Sequence, residues 1–245
     1  FPRTLQDRLY INQGKGQFMK STGAIPEDFY VGSRVKSADI DGDGDLDLFV
    51  AGRGVAGKYP YPDRSMLLRN DKGRFTDVTQ SWSKDLMNPG MVTDFIWTDF
   101  NNDKKPDLIM VGEWMNIRFF ENKGNAFADV SKVKGTAELN GWWYSIAEAD
   151  IDNDGDKDLI VGNIGLNTKF KAKPEKPFTV YSDDFDGNGT NDIVLTKEYK
   201  GKMVPVRGRQ CSSEQMPFIK ERFKTYKEFA NASLGDILGE DKLKK

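Results

Sequence analysis

The chain has 245 residues, and its 36 basic and 38 acidic side chains leave a net charge of −2, which gives no sign of a nucleic-acid-binding surface or a polybasic membrane anchor. It has no histidine and a single cysteine, Cys211. Imidazole zinc sites, histidine general bases, Ser-His or Cys-His nucleophile pairs and an internal disulfide are thereby excluded within these residues, and no apolar run reaches the ~20 residues of a membrane-spanning helix.

Leu9-Tyr10-Ile11, a turn at Asn12 to Gly16 and Gln17-Phe18-Met19-Lys20 read as a β-hairpin. No acidic hairpin precedes it, so the chain is expected to begin in the middle of a repeat; starting at Phe1 rather than Met, it reads as a processed or excised piece. A first repeat follows: a strand at 35–39, an acidic loop, a strand at 47–51, a Gly/Pro/Tyr-rich excursion at 52–63 and a hairpin at 65–78. The order recurs at 91–99, 107–113, 117–121 and 126–130.

The loops carry the chemistry. Asp150-Ile-Asp152-Asn-Asp154-Gly-Asp156-Lys-Asp158 places five carboxylates at alternate positions, and like charges that close need a cation. Calcium fits, because it takes six to eight oxygens from carboxylates, amides, carbonyls and water. Positions 1, 3, 5 and 9 of the loop are expected to give side-chain oxygens and position 7 its backbone carbonyl. The same register stands at Asp39, Asp41, Asp43, Asp45 and Asp47, at Asp99, Asn101, Asp103, Lys105 and Asp107, and at Asp184, Asp186, Asn188, Thr190 and Asp192. Position 2 is always apolar (Ile40, Phe100, Ile151, Phe185) and position 10 is Leu or Ile. An EF-hand is excluded: its loop needs Glu at position 12 between helices, whereas position 12 of the third loop is Val161 and both flanks read as strands.

These loops, together with the N-x-G-x-F turns at Asn12 to Phe18, Asn70 to Phe75 and Asn122 to Phe127, resemble the FG-GAP or VCBS repeats of integrin α-chains and, more closely, their bacterial relatives, since literal F-G and G-A-P signatures are absent. The resemblance covers most of residues 5 to 195 and implies an all-β fold, a partial β-propeller with its metal loops on one face. Asp39 to Asp99 is 60 residues and Asp99 to Asp150 is 51, which suits four-stranded blades with inserted loops. Asp150 to Asp184 is only 34. Phe178 follows Asp158 at about the interval that separates Ser65 from Asp47, so the fourth loop is expected to join strands three and four of the third blade. About three full blades and a half are therefore expected over residues 1–210, with a helical segment at 211–245 marked by Phe218, Ile219, Phe223, Tyr226, Phe229 and Ala230 packed on them, and a short second helix after Ser233.

Loops one and three, with five Asp each and Gly at position 6, are expected to bind most firmly. Loop four is expected to be intermediate, and loop two weakest, because Lys104 and Lys105 oppose a cation; Lys105 is expected to offer its carbonyl with its ammonium in water. The favoured function is a non-enzymatic binding or adhesion module for protein or glycan, exported from a bacterium and completed by the remaining blades of a longer surface polypeptide. Its ligand face is expected to include Trp114, Arg118, Trp142 and Trp143, beside Tyr59, Tyr61, Asn116, Asn140 and Asn163, because rings stack on sugars and anchor protein interfaces. For Trp142 and Trp143, packing between blades is the stronger expectation. A calcium-dependent lyase of acidic polysaccharides, using Lys, Tyr, Arg and Asp, is the alternative, although nothing marks a dedicated acid or base. A ligand-free structural segment is the third possibility.

Overall fold

The computed structural model describes residues 6–165, 170–173 and 175–243. Two strands, β1 (Tyr10–Gly14) and β2 (Gln17–Lys20), form a separate antiparallel hairpin. Four more, β3 (Gly32–Ala38), β4 (Asp47–Gly52), β5 (Met66–Asp71) and β6 (Arg74–Asp77), pair in chain order as an antiparallel meander. The second repeat copies it with β7 (Met91–Thr98), β8 (Asp107–Asn116), β9 (Arg118–Asn122) and β10 (Phe127–Asp129). Between the two meanders lies a one-turn helix, α1 (Thr79–Trp82).

The second strand of each meander is flanked on both edges, and its sequence is accordingly a near-continuous apolar run, Leu-Phe-Val-Ala in β4 and Leu-Ile-Met-Val in β8, buried along most of its length. Phe49 of β4 and Phe95 of β7 meet edge to face at 5.1 Å between centroids in a core that also holds Leu67, Leu108, Met110 and Phe120. Ile109, Val111 and Phe119 join Ile146 of the third repeat in a second cluster.

The third repeat is shorter than expected. Its strands β11 (Asn140–Ala149) and β12 (Asp158–Asn163) pair with each other, and the start of β11 also pairs with the end of β8. The fourth loop does not complete this repeat. It joins β13 (Thr179–Asp183) to β14 (Asp192–Tyr199), which with β15 (Lys202–Pro205) make their own three-stranded sheet. The matched interval from Asp158 to Phe178 is therefore coincidental. Between β12 and β13 the described residues contain only an isolated bridge, Lys173 to Lys176, in a Lys-rich stretch interrupted by Pro174 and Pro177, which have no N–H to donate to a ladder. Among the described residues two complete four-stranded repeats stand where about three were expected.

The first strands of consecutive repeats are neighbours. At the β-bulge of β3 the Ser33 hydroxyl donates to Ala51 O at 3.1 Å and to Val92 O of β7 at 2.7 Å. At the corresponding bulge of β7 the Thr93 hydroxyl makes the same two contacts, to Val111 O at 3.2 Å and Trp143 O of β11 at 2.9 Å.

The chain forms two compact units, Phe1–Ala56 with Tyr61–Gly165, and Gly57–Pro60 with Leu166–Lys245. The boundary between these compact units lies near residue 165. The reason is a shared core: Phe185 and Val194 of the last sheet pack with Met216, Ile219, Phe229, Leu234 and Ile237. The helical pattern at 213–230 is three short pieces rather than one helix, α2 (Arg209–Gln215), α3 (Phe218–Arg222) and α4 (Tyr226–Asn231). Pro217 has no N–H to extend α2, and Thr225 starts α4 afresh in a capping box with Glu228. The helix after Ser233 forms as expected, α5 (Leu234–Leu238), capped by Ser233 and Asp236.

Candidate metal loops

Each acidic loop closes a hairpin between antiparallel strands, and all four share one hydrogen-bond pattern. The N–H of position 2 donates to the carboxylate of position 9: Ile40 to Asp47 at 2.9 Å, Phe100 to Asp107 at 3.2 Å, Ile151 to Asp158 at 2.9 Å and Phe185 to Asp192 at 3.0 Å. Position 6 donates to position 1, from Gly44, Lys104, Gly155 and Gly189 to Asp39, Asp99, Asp150 and Asp184 at 3.1, 2.7, 3.2 and 2.8 Å. Position 5 donates to position 3, and position 7 to position 5. Both sharp bends need positive φ. Position 4 is Gly42, Asn102, Asn153 or Gly187 at φ 78, 60, 61 and 76°, and position 6 is Gly44, Lys104, Gly155 or Gly189 at 94, 69, 97 and 85°. Gly and Asn tolerate this conformation and Lys does not do so readily.

The turned-in carboxylates gather. Oxygens of Asp39, Asp41 and Asp43, of Asp150, Asp152 and Asp158, and of Asp184, Asp186 and Asp192 lie within 4.8 Å of one another in each set, an arrangement placed to hold a metal ion. Burial pushes Asp47, Asp107 and Asp192 above the usual carboxylate range, Asp107 to about 6. The N–H groups they accept oppose that rise, and the neighbouring loop carboxylates add to it. A cluster of hard oxygen donors whose buried member resists carrying its charge fits a bound divalent cation of the calcium type.

Loop two differs. Asn101 replaces a carboxylate, and its amide donates to Glu121 of β9 at 3.0 Å. The exposed Lys105 side chain pairs with Asp103 Oδ2 at 3.3 Å, and the Lys105 N–H and ammonium hold the Asp103 carboxyl below its ordinary range. At position 7 the Asp45 and Asp156 N–H groups donate to position 5, and the Asp45 side chain accepts from Lys72 N at 2.7 Å.

Two of the N-x-G-x-F turns, those at Asn70 and Asn122, bond to the loops. Asn70 N donates to Asp47 Oδ1 at 2.7 Å and its amide reaches Leu46 O at 3.1 Å; Asn122 N donates to Asp107 Oδ1 at 2.7 Å and its amide reaches Pro106 O at 3.2 Å. Each Asn also accepts from its own turn, from Gly73 N and Gly124 N at 2.8 Å. The spacing of this motif was legible in the sequence, but its link to position 9 of the loop was not.

The expected ligand face divides. Trp114 and Trp142 meet at 4.9 Å between ring centroids, both partly exposed, whereas Trp143 packs against the cluster around Ile109 and Ile146. Arg118 donates to Asp129 and to Pro89 O at 3.0 Å and lies over the Phe120 ring, 17% exposed, so its charge is engaged in holding β9 and β10. Tyr59 belongs to the second compact unit and Tyr61, Asn116, Asn140 and Asn163 to the first.

Antiparallel meanders whose first turns are acidic, cation-ready loops are the architecture of a repeat protein. The model of an FG-GAP-like repeat matches residues 4–50 and 99–161, and the chain carries FG-GAP-like repeats. No curated protein matches the chain.

Proposed function

We propose that this chain is a calcium-stabilised segment of a β-propeller that serves an exported bacterial surface protein as a non-enzymatic binding module for protein or glycan. The reading rests on one observation: four loops with different residues keep one backbone pattern that turns their oxygens inward. Calcium would be held in loop one by Asp39, Asp41, Asp43 and Asp47 with the Asp45 carbonyl, in loop three by Asp150, Asp152, Asp154 and Asp158 with the Asp156 carbonyl, and in loop four by Asp184, Asp186, Asn188 and Asp192 with the Thr190 carbonyl. Loop two, with Asp99, Asn101, Asp103, Asp107 and the Lys105 carbonyl, would bind most weakly, since a cation there must displace the Lys105 ammonium. The bound ion supplies charge neutralisation and cross-linking of the two strands, not chemistry on a substrate. Ligand contact is assigned to the rim around Trp114 and Trp142, where two partly exposed rings lie side by side.

Titration calorimetry with Ca²⁺, repeated on Asp39→Asn, Asp150→Asn and Asp184→Asn, tests the metal assignment. Each substitution is expected to remove one binding event. Mass action predicts a rise in melting temperature on adding Ca²⁺ to ~100 times its dissociation constant, worth about 2.7 kcal/mol per site. No heat and no thermal shift would refute the reading. A glycan array probed with and without Ca²⁺, against Trp142→Ala, tests the binding role.

A further inference from the structure

Among the described residues the third repeat has no second hairpin beside β12, and its counterpart in the first two repeats can be specified residue by residue. In the first repeat β5 covers the outer edge of β4 with Leu48 opposite Leu68, Phe49 opposite Leu67 and Val50 opposite Met66. In the second, β9 covers β8 with Leu108 opposite Phe120, Ile109 opposite Phe119 and Met110 opposite Arg118. In both, the residue opposite position 10 of the loop lies two before the Asn of the N-x-G-x-F turn, and that Asn donates its N–H to position 9. Among the described residues β12 pairs only with β11. Its Ile160 is 51% exposed, while the matching Phe49 and Ile109 are 0% and 1% exposed.

The chain also carries the complementary piece. β1 and β2 form the same kind of hairpin with a turn one residue longer, and Asn12 accepts from Gly14 N at 2.8 Å as Asn122 does from Gly124 N. Ser21 N donates to Leu9 O at 2.9 Å, as Val78 N does to Leu67 O and Val130 N to Phe119 O, which makes Leu9 the equivalent of Leu67 and Phe119. Among the described residues this hairpin belongs to no larger sheet, and Tyr10, Ile11, Phe18 and Met19 are all exposed. A two-stranded hairpin with an apolar surface and an open edge is marginal by itself.

We propose that the outer edge of β12 is a docking site for the β1–β2 hairpin of a second copy of this chain, with Leu159 opposite Tyr10, Ile160 opposite Leu9 and Val161 opposite Arg8. Asn12 N–H, which by strand alternation points to the open edge, then meets Asp158 as Asn70 meets Asp47, and the Asn12 amide meets the Lys157 carbonyl. Leu9 turns its carbonyl toward Ser21, so Leu9 and Ile160 form a non-hydrogen-bonded pair with Cα atoms about 4.5 Å apart. The contact is head to tail: in a pair one copy keeps a free hairpin and the other a free β12, so association continues into a ring or a linear chain.

The test is disulfide trapping between full-length chains. Leu9→Cys and Ile160→Cys, each with Cys211→Ser, are mixed under mild oxidation; a cross-linked dimer is expected, forming roughly tenfold faster than from Leu9→Cys with Val161→Cys, whose side chain points to the other face. The native chain should show concentration-dependent species larger than a dimer by sedimentation velocity, and Asn12→Ala, on an exposed turn, should weaken them without lowering the melting temperature. No cross-link, equal rates for both pairs, or a cross-link only within a single chain carrying both cysteines would overturn the proposal, as would a monomer at all concentrations.

Discussion

Lys104 occupies the bend that Gly44, Gly155 and Gly189 occupy in the other loops, with its φ held at 69°. A left-handed non-glycine residue costs roughly 1–2 kcal/mol. Lys104→Gly is therefore expected to stabilise the fold by about 1 kcal/mol in urea denaturation and, by removing a positive charge, to tighten cation binding at loop two in calorimetry. Asp107, fully buried beside Asp103 and Asp99, has a folded pKa near 6, above its unfolded value of 3.8. Its protonated form is thus favoured in the native state. The contribution to stability is complete below pH 3.8 and is lost as pH rises toward 6. Cation-free protein should lose urea resistance over that window, and saturating Ca²⁺ should flatten or reverse the slope, because the ion favours the charged carboxylate. Asp94 shows the opposite case: burial raises its pKa, but the Lys36 ammonium at 3.0 Å and the Ile146 N–H at 3.2 Å bring it below the usual range.

Among elements, the two complete meanders depend on the Asn at the start of each second hairpin. Asn122 is wholly buried and its amide serves both Pro106 O and Ile40 O, at 3.2 and 2.9 Å. Asn122→Ala strands these carbonyls and one oxygen-anchored turn, and is expected to cost about 2 kcal/mol in chemical denaturation and to weaken cation binding at loop two. The acidic loops, their strands and the N-x-G-x-F turns could be read from the sequence, because they are local and carry strict spacing. The residue at position 4, always Gly or Asn, is a further local signal of a positive-φ bend. That the described residues of the third repeat hold no second hairpin was harder to see: only a Lys/Pro-rich stretch marks the place, and the neighbouring fourth loop supplied a misleading interval. The helices were misjudged for the same reason, since apolar spacing at 213–230 runs through Pro217 and Thr225 without showing that each ends or restarts a helix. The link between Asn70 or Asn122 and position 9 joins residues 23 or 15 positions apart and follows only from the register of the sheet.

At the scale of the first compact unit, Asp94 of β7 is the junction of three repeats, since it takes Lys36 from β3 on one side and the Ile146 N–H of β11 on the other. Asp94→Ala is expected to cost about 2 kcal/mol, leaving Lys36 without its carboxylate, and to be read as a lower denaturation midpoint. Because Ser33 and Thr93 stitch adjacent inner strands in the same manner, loosening at this one carboxylate travels in both directions along the array. Heat should therefore dissolve residues 32–163 as a single block, with backbone amides of β3, β7 and β11 exchanging with solvent at one common rate.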